Sequence, residues 1–137
     1  AYAQACGVEN LLFVRFPHRG MVDDATVLPR MAAVVNDCGY SFLDLDTDAE
    51  SLGLDRYHDF CDAEHMNVFG MEKFTAWFGQ YLTAHYDLSG PHSRRTAARW
   101  DRCADFTDKL LSACEQKAAA GTQACFDEFS PEFRAWR

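Results

Sequence analysis

Two histidines and a row of acids crowd one short stretch of the chain, His58-Asp59-Phe60-Cys61-Asp62-Ala63-Glu64-His65-Met66-Asn67. Asp62 stands three residues before His65. At that spacing in a loop, a carboxylate reaches the imidazole Nδ1–H, fixes the tautomer and stabilises the imidazolium. Nε2 is then left to take a proton from a hydroxyl. This is the orienting-acid and general-base half of a Ser-His-Asp arrangement. Asn67 and Gly70 stand behind them. Asn is a strong N-cap, so the same stretch also reads as a capped, hydrogen-bonded loop without chemistry. Metal binding is a third reading. His58, Cys61 and His65, with Asp59 or Asp62, offer ligands three and four residues apart, although one thiol outside any paired-cysteine motif makes a poor zinc set.

What must position these groups is an alternation of strands and helices. Ala1 to Cys6 reads as the end of a helix, with Gly7 in the position that needs positive φ. Leu11 to Phe16 (LLFVRF) is a nearly unbroken apolar run ended by Pro17, as in a strand buried on both faces of a parallel sheet. His18 follows at the carboxyl end of that strand, able to line the same crevice as His65. Asp23 and Asp24 open a helix whose face is Val27, Met31, Val34 and Val35, and Gly39 closes it. Tyr40 to Leu45 is a second strand, and Asp46 to Asp62 a polar loop. A strong helix follows from about Gly70 to Tyr86, with Met71, Phe74, Trp77, Phe78, Tyr81, Leu82 and His85 at three- and four-residue steps.

Ser89-Gly90-Pro91 breaks the chain, and Thr96 to about Ala120 is helical again with Trp100, Cys103, Phe106, Leu110 and Leu111 inward. Gly121 interrupts it before an aromatic segment, Phe126, Phe129, Phe133 and Trp136, that packs back on the core. The expected fold is α/β: residues 1–90 form a partial three-layer α/β/α unit with parallel strands, and residues 91–137 a helical extension packed on it. In open sheets of this kind functional groups gather on loops at the carboxyl ends of the strands, and the 58–67 stretch is such a loop.

Composition narrows the partners. The 137 residues suit one domain, and 48% apolar with 14% aromatic content describes a globular chain. A net charge of -8, from 13 Lys and Arg against 21 Asp and Glu, argues against nucleic acid. Arg94, Arg95, Arg99 and Arg102 form a local basic patch, read as a solvated helix face balanced by Asp101, Asp105 and Asp108. No apolar run approaches the roughly 18 residues of a membrane span. The six cysteines contain no CxxC pair and read as free, mostly buried thiols. The one pairing entertained is Cys114 with Cys125 across a bend at Gly121.

The wording Asp62-Ala63-Glu64-His65-Met66-Asn67-Val68-Phe69-Gly70, followed by Glu72-Lys73-Phe74-Thr75, Tyr81-Leu82 and Tyr86-Asp87-Leu88, resembles the C-terminal block of SGNH (GDSL-like) hydrolases and O-acyltransferases. It is similar in particular to the bacterial branch found with cell-surface polysaccharide and teichoic-acid modification. The resemblance covers residues 1–90. It implies His65 as general base and Asp62 as its orienting acid, with Asn67 and Gly70 supporting and His18 nearby. It implies transfer or hydrolysis of an ester-linked acyl group, acetyl on a surface glycan or a small ester, with no metal or organic cofactor. It also implies a parent protein that is membrane-anchored or extracellular.

The family's nucleophilic serine and oxyanion donors lie upstream of this block, and no GDS-like serine precedes residue 62 here. Ser41 falls in a strand and Ser51 in a loop. The resemblance therefore implies the C-terminal part of a longer protein, inactive alone. The alternative is a non-catalytic structural or interaction module. Either way a short parallel sheet leaves a strand edge open, and an open edge invites pairing with a second copy. Light scattering is expected to show a homo-oligomer; a well-folded monomer at all concentrations would contradict this.

Overall fold

The structure, a computed structural model, describes residues 2–8, 10–20, 26–46 and 50–121. α1 (Tyr2–Ala5) is one exposed turn, and Gly7, at a φ of 69°, leads the chain out of it. β1 (Leu12–Arg15), α2 (Leu28–Asp37) and β2 (Ser41–Asp44) form a strand–helix–strand unit. The two strands pair in parallel, from Leu12 opposite Ser41 to Arg15 opposite Asp44. Pro29 sits in the first turn of α2, where its missing N–H has no helical partner to lose. Gly39, at a φ of 80°, ends the helix and starts the approach to β2. The architecture is thus mixed helix with a small parallel sheet, and no described helix is long and apolar enough to cross a membrane.

β1 differs from the expectation of a strand buried on both faces. It is shorter than the LLFVRF run, and Phe13 and Phe16 remain 39% and 48% exposed. In a sheet of two strands each strand is an edge, so these rings stay partly in water. The same holds for α2: of the expected apolar face only Val35 is buried, while Val27, Met31 and Val34 are exposed. Asp23 and Asp24 lie outside the described residues.

The core sits elsewhere, between the strands, the 52–60 segment and α3 (Val68–His85). Leu45, Leu52, Leu54, Phe60 and Phe74 are buried together, with Val14, Leu43, Met66, Trp77 and Phe78 packed around them. The segment read as a polar loop therefore supplies three of the five buried residues, Leu52, Leu54 and Phe60. Its acids face other partners, described below. α3 starts two residues before the expected Gly70 because Asn67 caps it, accepting from the N–H groups of Phe69 and Gly70.

α4 (Arg94–Ala119) is capped by Ser93, which accepts from Thr96 N–H. Trp100 and Cys103, expected inward, are exposed. Among the described residues, α4 meets α3 in its later turns, where Leu110, Leu111, Cys114 and Ala118 pack with Val68 and Phe69 at the start of α3. Arg94, Arg95, Arg99 and Arg102, and with them Asp101, Asp105 and Asp108, are all exposed.

The cysteines also depart from expectation. Cys61 is disulfide-bonded. Cys6, Cys38 and Cys103 are free but exposed, so burial does not account for them. Cys114 is a free, buried thiol, which removes its proposed bond to Cys125; burial pushes its pKa up. Cys125 itself and the aromatic segment Phe126, Phe129, Phe133 and Trp136 fall outside the described residues.

Phe74 is the buried residue that α3 contributes to the cluster around Leu45, and it stacks on Phe78 and packs against Phe16. Phe74→Ala is expected to lower unfolding stability by about 3 to 5 kcal/mol in urea denaturation. Val34→Ala, on the uncovered face of α2, should change it by less than about 0.5 kcal/mol.

Candidate functional site

The acidic stretch folds into two linked turns. In the first, Asp55 accepts from the N–H groups of Tyr57 and His58 through Oδ1, at 2.7 and 3.0 Å. These bonds hold its carboxyl below the ordinary carboxylate range. The Asp59 N–H closes this turn on Asp55 O at 2.9 Å. The second is a tight antiparallel hairpin. Asn67 N–H donates to Asp59 O at 2.9 Å, Phe60 faces Met66, and Cys61 N–H donates to His65 O at 2.8 Å. Only Asp62, Ala63 and Glu64 remain to turn the chain.

That geometry brings Asp62 and His65 together. Asp62 Oδ1 accepts from the backbone N–H of Glu64 and of His65, each at 2.8 Å. Both Asp62 carboxylate oxygens lie 3.0 Å from His65 Nδ1. Nε2 has no protein partner among the described residues. The Glu64 and His65 N–H groups, and then the His65 ring, draw the Asp62 pKa down to about 2. The side chains of the pair are 59% and 72% exposed, so the imidazole stands in water rather than in a dry cleft. No described serine hydrogen-bonds that ring. Ser41 opens β2 at the far end of the sheet, Ser89 is bonded to Asp87, and Ser93 caps α4.

The hairpin lies beside the carboxyl ends of both strands. Ala63 O, at its tip, accepts from Arg19 and Gly20 N–H at 3.0 and 3.2 Å, which docks it on the loop leaving β1. His18 is in that loop. Its N–H donates to Asp46 Oδ1 at 2.6 Å, and its Nδ1 stands 3.4 Å from the same oxygen. His18 is thus tied to Asp46 beyond β2, next to the hairpin tip but not bonded to Asp62 or His65. Arg15 braces the same corner, with Asp46 at 2.9 Å and Asp44 at 3.4 Å. Arg56 closes it, donating to His18 O at 2.7 Å and Asp46 O at 3.1 Å.

Asn67 and Gly70 have defined tasks. Asn67 spends its amide oxygen on the cap and donates from Nδ2 to His58 O at 2.6 Å, stitching the two turns to α3. At Gly70 a Cβ would run into the carbonyl oxygen of Asp59, so the helix backbone touches the hairpin directly. The metal reading is not assembled. Cys61 sulfur is in a disulfide, and His58 and His65 turn to different carboxylates. No group of three or more possible metal ligands occurs among the described residues.

Sequence reasoning placed Asp59 only as a possible ligand, quoted Lys73 within the resembling block without a role, and passed over Arg56. Asp59 is fully buried. Oδ1 lies 2.9 Å from His58 Nδ1, and Oδ2 accepts from Lys73 Nζ at 2.7 Å and from Asp55 N–H at 2.8 Å. Burial alone pushes its pKa up, but the bonds from His58, Lys73 and Asp55 together with the lysine charge outweigh that and leave it lowered. Lys73 is 14 residues away, and no local pattern ties it to Asp59. Comparison with protein-family models, with curated proteins and with solved structures finds no match.

The lowered carboxyl of Asp62 contributes stability above the unfolded value near 4, lost as pH falls through about 2. A carboxyl-carbon NMR titration should find its midpoint near 2. In His65→Ala the midpoint should rise yet stay below 3.8, because the two backbone N–H groups are the larger causes. A midpoint at the ordinary value in the unmutated protein would contradict the hairpin geometry.

Proposed function

We propose that this chain supplies the imidazole and carboxylate of a serine-dependent esterase or O-acyltransferase of the SGNH type. The partial three-layer α/β/α fold belongs to the same reading. His65 is the general base and Asp62 its orienting acid, with Asn67 and Gly70 supporting and His18 at the neighbouring strand end. The substrate class is an ester-linked acyl group, acetyl on a glycan or a small ester. One observation carries the reading: Asp62 holds Nδ1 of His65 at 3.0 Å while Nε2 has no partner among the described residues, beside the carboxyl ends of two parallel strands.

The chemistry divides simply. An attacking hydroxyl gives its proton to Nε2 as it bonds to the acyl carbon. The imidazolium is stabilised by the ionised Asp62, and the proton returns to the departing alcohol oxygen. The hydroxyl and the donors that stabilise the oxyanion are not among the groups bonded to His65. The exposure of the pair favours a second reading, an interaction module in which Asp62 only rigidifies the turn.

Acyl transfer from p-nitrophenyl acetate separates the two. In water alone the chain is expected to be inactive. With excess trifluoroethanol supplying the hydroxyl, it should accelerate transfer to the alcohol. His65→Ala should abolish that acceleration, and Asp62→Asn should reduce it at least about tenfold. Equal rates for the unmutated chain and His65→Ala would overturn the catalytic reading and leave the module.

A further inference from the structure

We infer that Asp59 is the positioning residue of the site: its buried carboxylate seats the hairpin bearing Asp62 and His65 against the start of α3. This rests on the reading of that pair as functional, and adds to it the group that sets the pair's geometry.

Three donors from two segments converge on this side chain, and each has a separate effect. Lys73 comes from the second turn of α3, so its bond at 2.7 Å fixes the helix relative to the turn. The Asp55 N–H, at 2.8 Å, closes the 55–59 turn on the same oxygen. His58 Nδ1 bonds to the other oxygen at 2.9 Å, and the ring packs at a tilt against Phe69 of α3, with centroids 5.5 Å apart. All these interactions pull residues 58–59 onto α3, where the backbones touch: Gly70 lacks the Cβ that would strike Asp59 O.

Asp59 also starts the hairpin, because its carbonyl oxygen takes Asn67 N–H, the outermost bond of the ladder. From there the register is fixed through Phe60 opposite Met66 to Cys61 and His65. Asp62 and His65 follow with no freedom to slip, since a one-residue shift would turn His65 to the other side. The carboxylate itself touches neither Asp62 nor His65, so its influence on them passes through this backbone. A dry anion with three donors has few other arrangements of comparable energy, which is what a rigid mount requires.

The Asp62 titration reads the mount, because its low midpoint depends mainly on two backbone N–H groups of the hairpin. Asp59→Asn keeps the shape and removes the charge. Its Asp62 midpoint is expected to move from about 2 towards 3.8, with faster exchange of the His65 Nδ1 proton. Leu52→Ala, a cavity in the shared core, serves as the control: its melting temperature should fall while the Asp62 midpoint stays near 2. Should Asp59→Asn not fold, Lys73→Met is expected to show the same upward movement in smaller measure. An Asp62 midpoint unchanged in the folded Asp59 or Lys73 variant, with only stability lost, would reduce Asp59 to a structural residue and overturn the inference. A null result in the acyl-transfer assay would remove the catalytic reading without moving this titration, so the two failures are distinct.

Discussion

A carboxylate taken wholly out of water must be compensated, and the chain around Asp59 is arranged to do so. Desolvation of the anion is opposed by an ammonium, an imidazole nitrogen and a backbone N–H, all within 3 Å. Breaking a buried pair by removing one partner costs about 3 to 5 kcal/mol in general; the half-exposed Lys73 puts this one at the lower end or beneath it. The geometric consequence matters more than the energy. Lys73 and Gly70 belong to α3, Asp55 and His58 to the preceding turn, and Asn67 to the joint between them. One side chain therefore settles how a loop rich in acids sits on an aromatic helix.

Two aspartates three residues apart illustrate how environment assigns roles. Asp59 is dry and saturated with donors, so it holds things still. Asp62 is wet, held by two N–H groups of its own turn, and has a titratable ring as its third partner. Both end below the ordinary carboxylate range, by different routes: Asp59 through donors that overcome burial, Asp62 through turn hydrogen bonds with little burial to oppose them. The strand-end corner repeats the first pattern. Asp46, nearly buried, gathers Arg15 and the His18 N–H, and Arg56 ties the two strand exits together through their carbonyls. The Asp62–His65 pair is exposed, whereas the carboxylates of Asp59 and Asp46 beside it are buried.

Parts of this were legible residue by residue. The run before Pro17 and the YSFLDL segment marked two strands, since hydrophobic periodicity and punctuation by Gly and Pro are local signals. Asn67 announced the start of α3, and the three-residue spacing of Asp62 and His65 was enough to place one beside the other in a turn. Burial was less legible. Val34, Met31, Trp100 and Phe13 all looked inward by pattern and lie exposed, because a pattern shows which face is apolar and not whether a neighbour covers it. Leu52 and Leu54 erred the other way. They sat among acids and glycine, yet the loop folds its leucines under α3.

From the sequence alone followed what neighbours along the chain can do: the elements, the parallel strand pair, the cap at Asn67 and the Asp62–His65 contact. The elements, the cap and the Asp62–His65 contact depend on spacings of two to four residues and on turn chemistry, and the strand pair on the strand–helix–strand order. Only the tertiary structure decided that Asp59 is buried on Lys73, that Gly70 must lack a side chain because a carbonyl lies against it, and that Arg56 bridges two strand exits. Each of these joins groups 10 or more residues apart. Such pairings are chosen by the packing of whole elements, and an isolated charge or glycine in the sequence carries no mark of its distant partner.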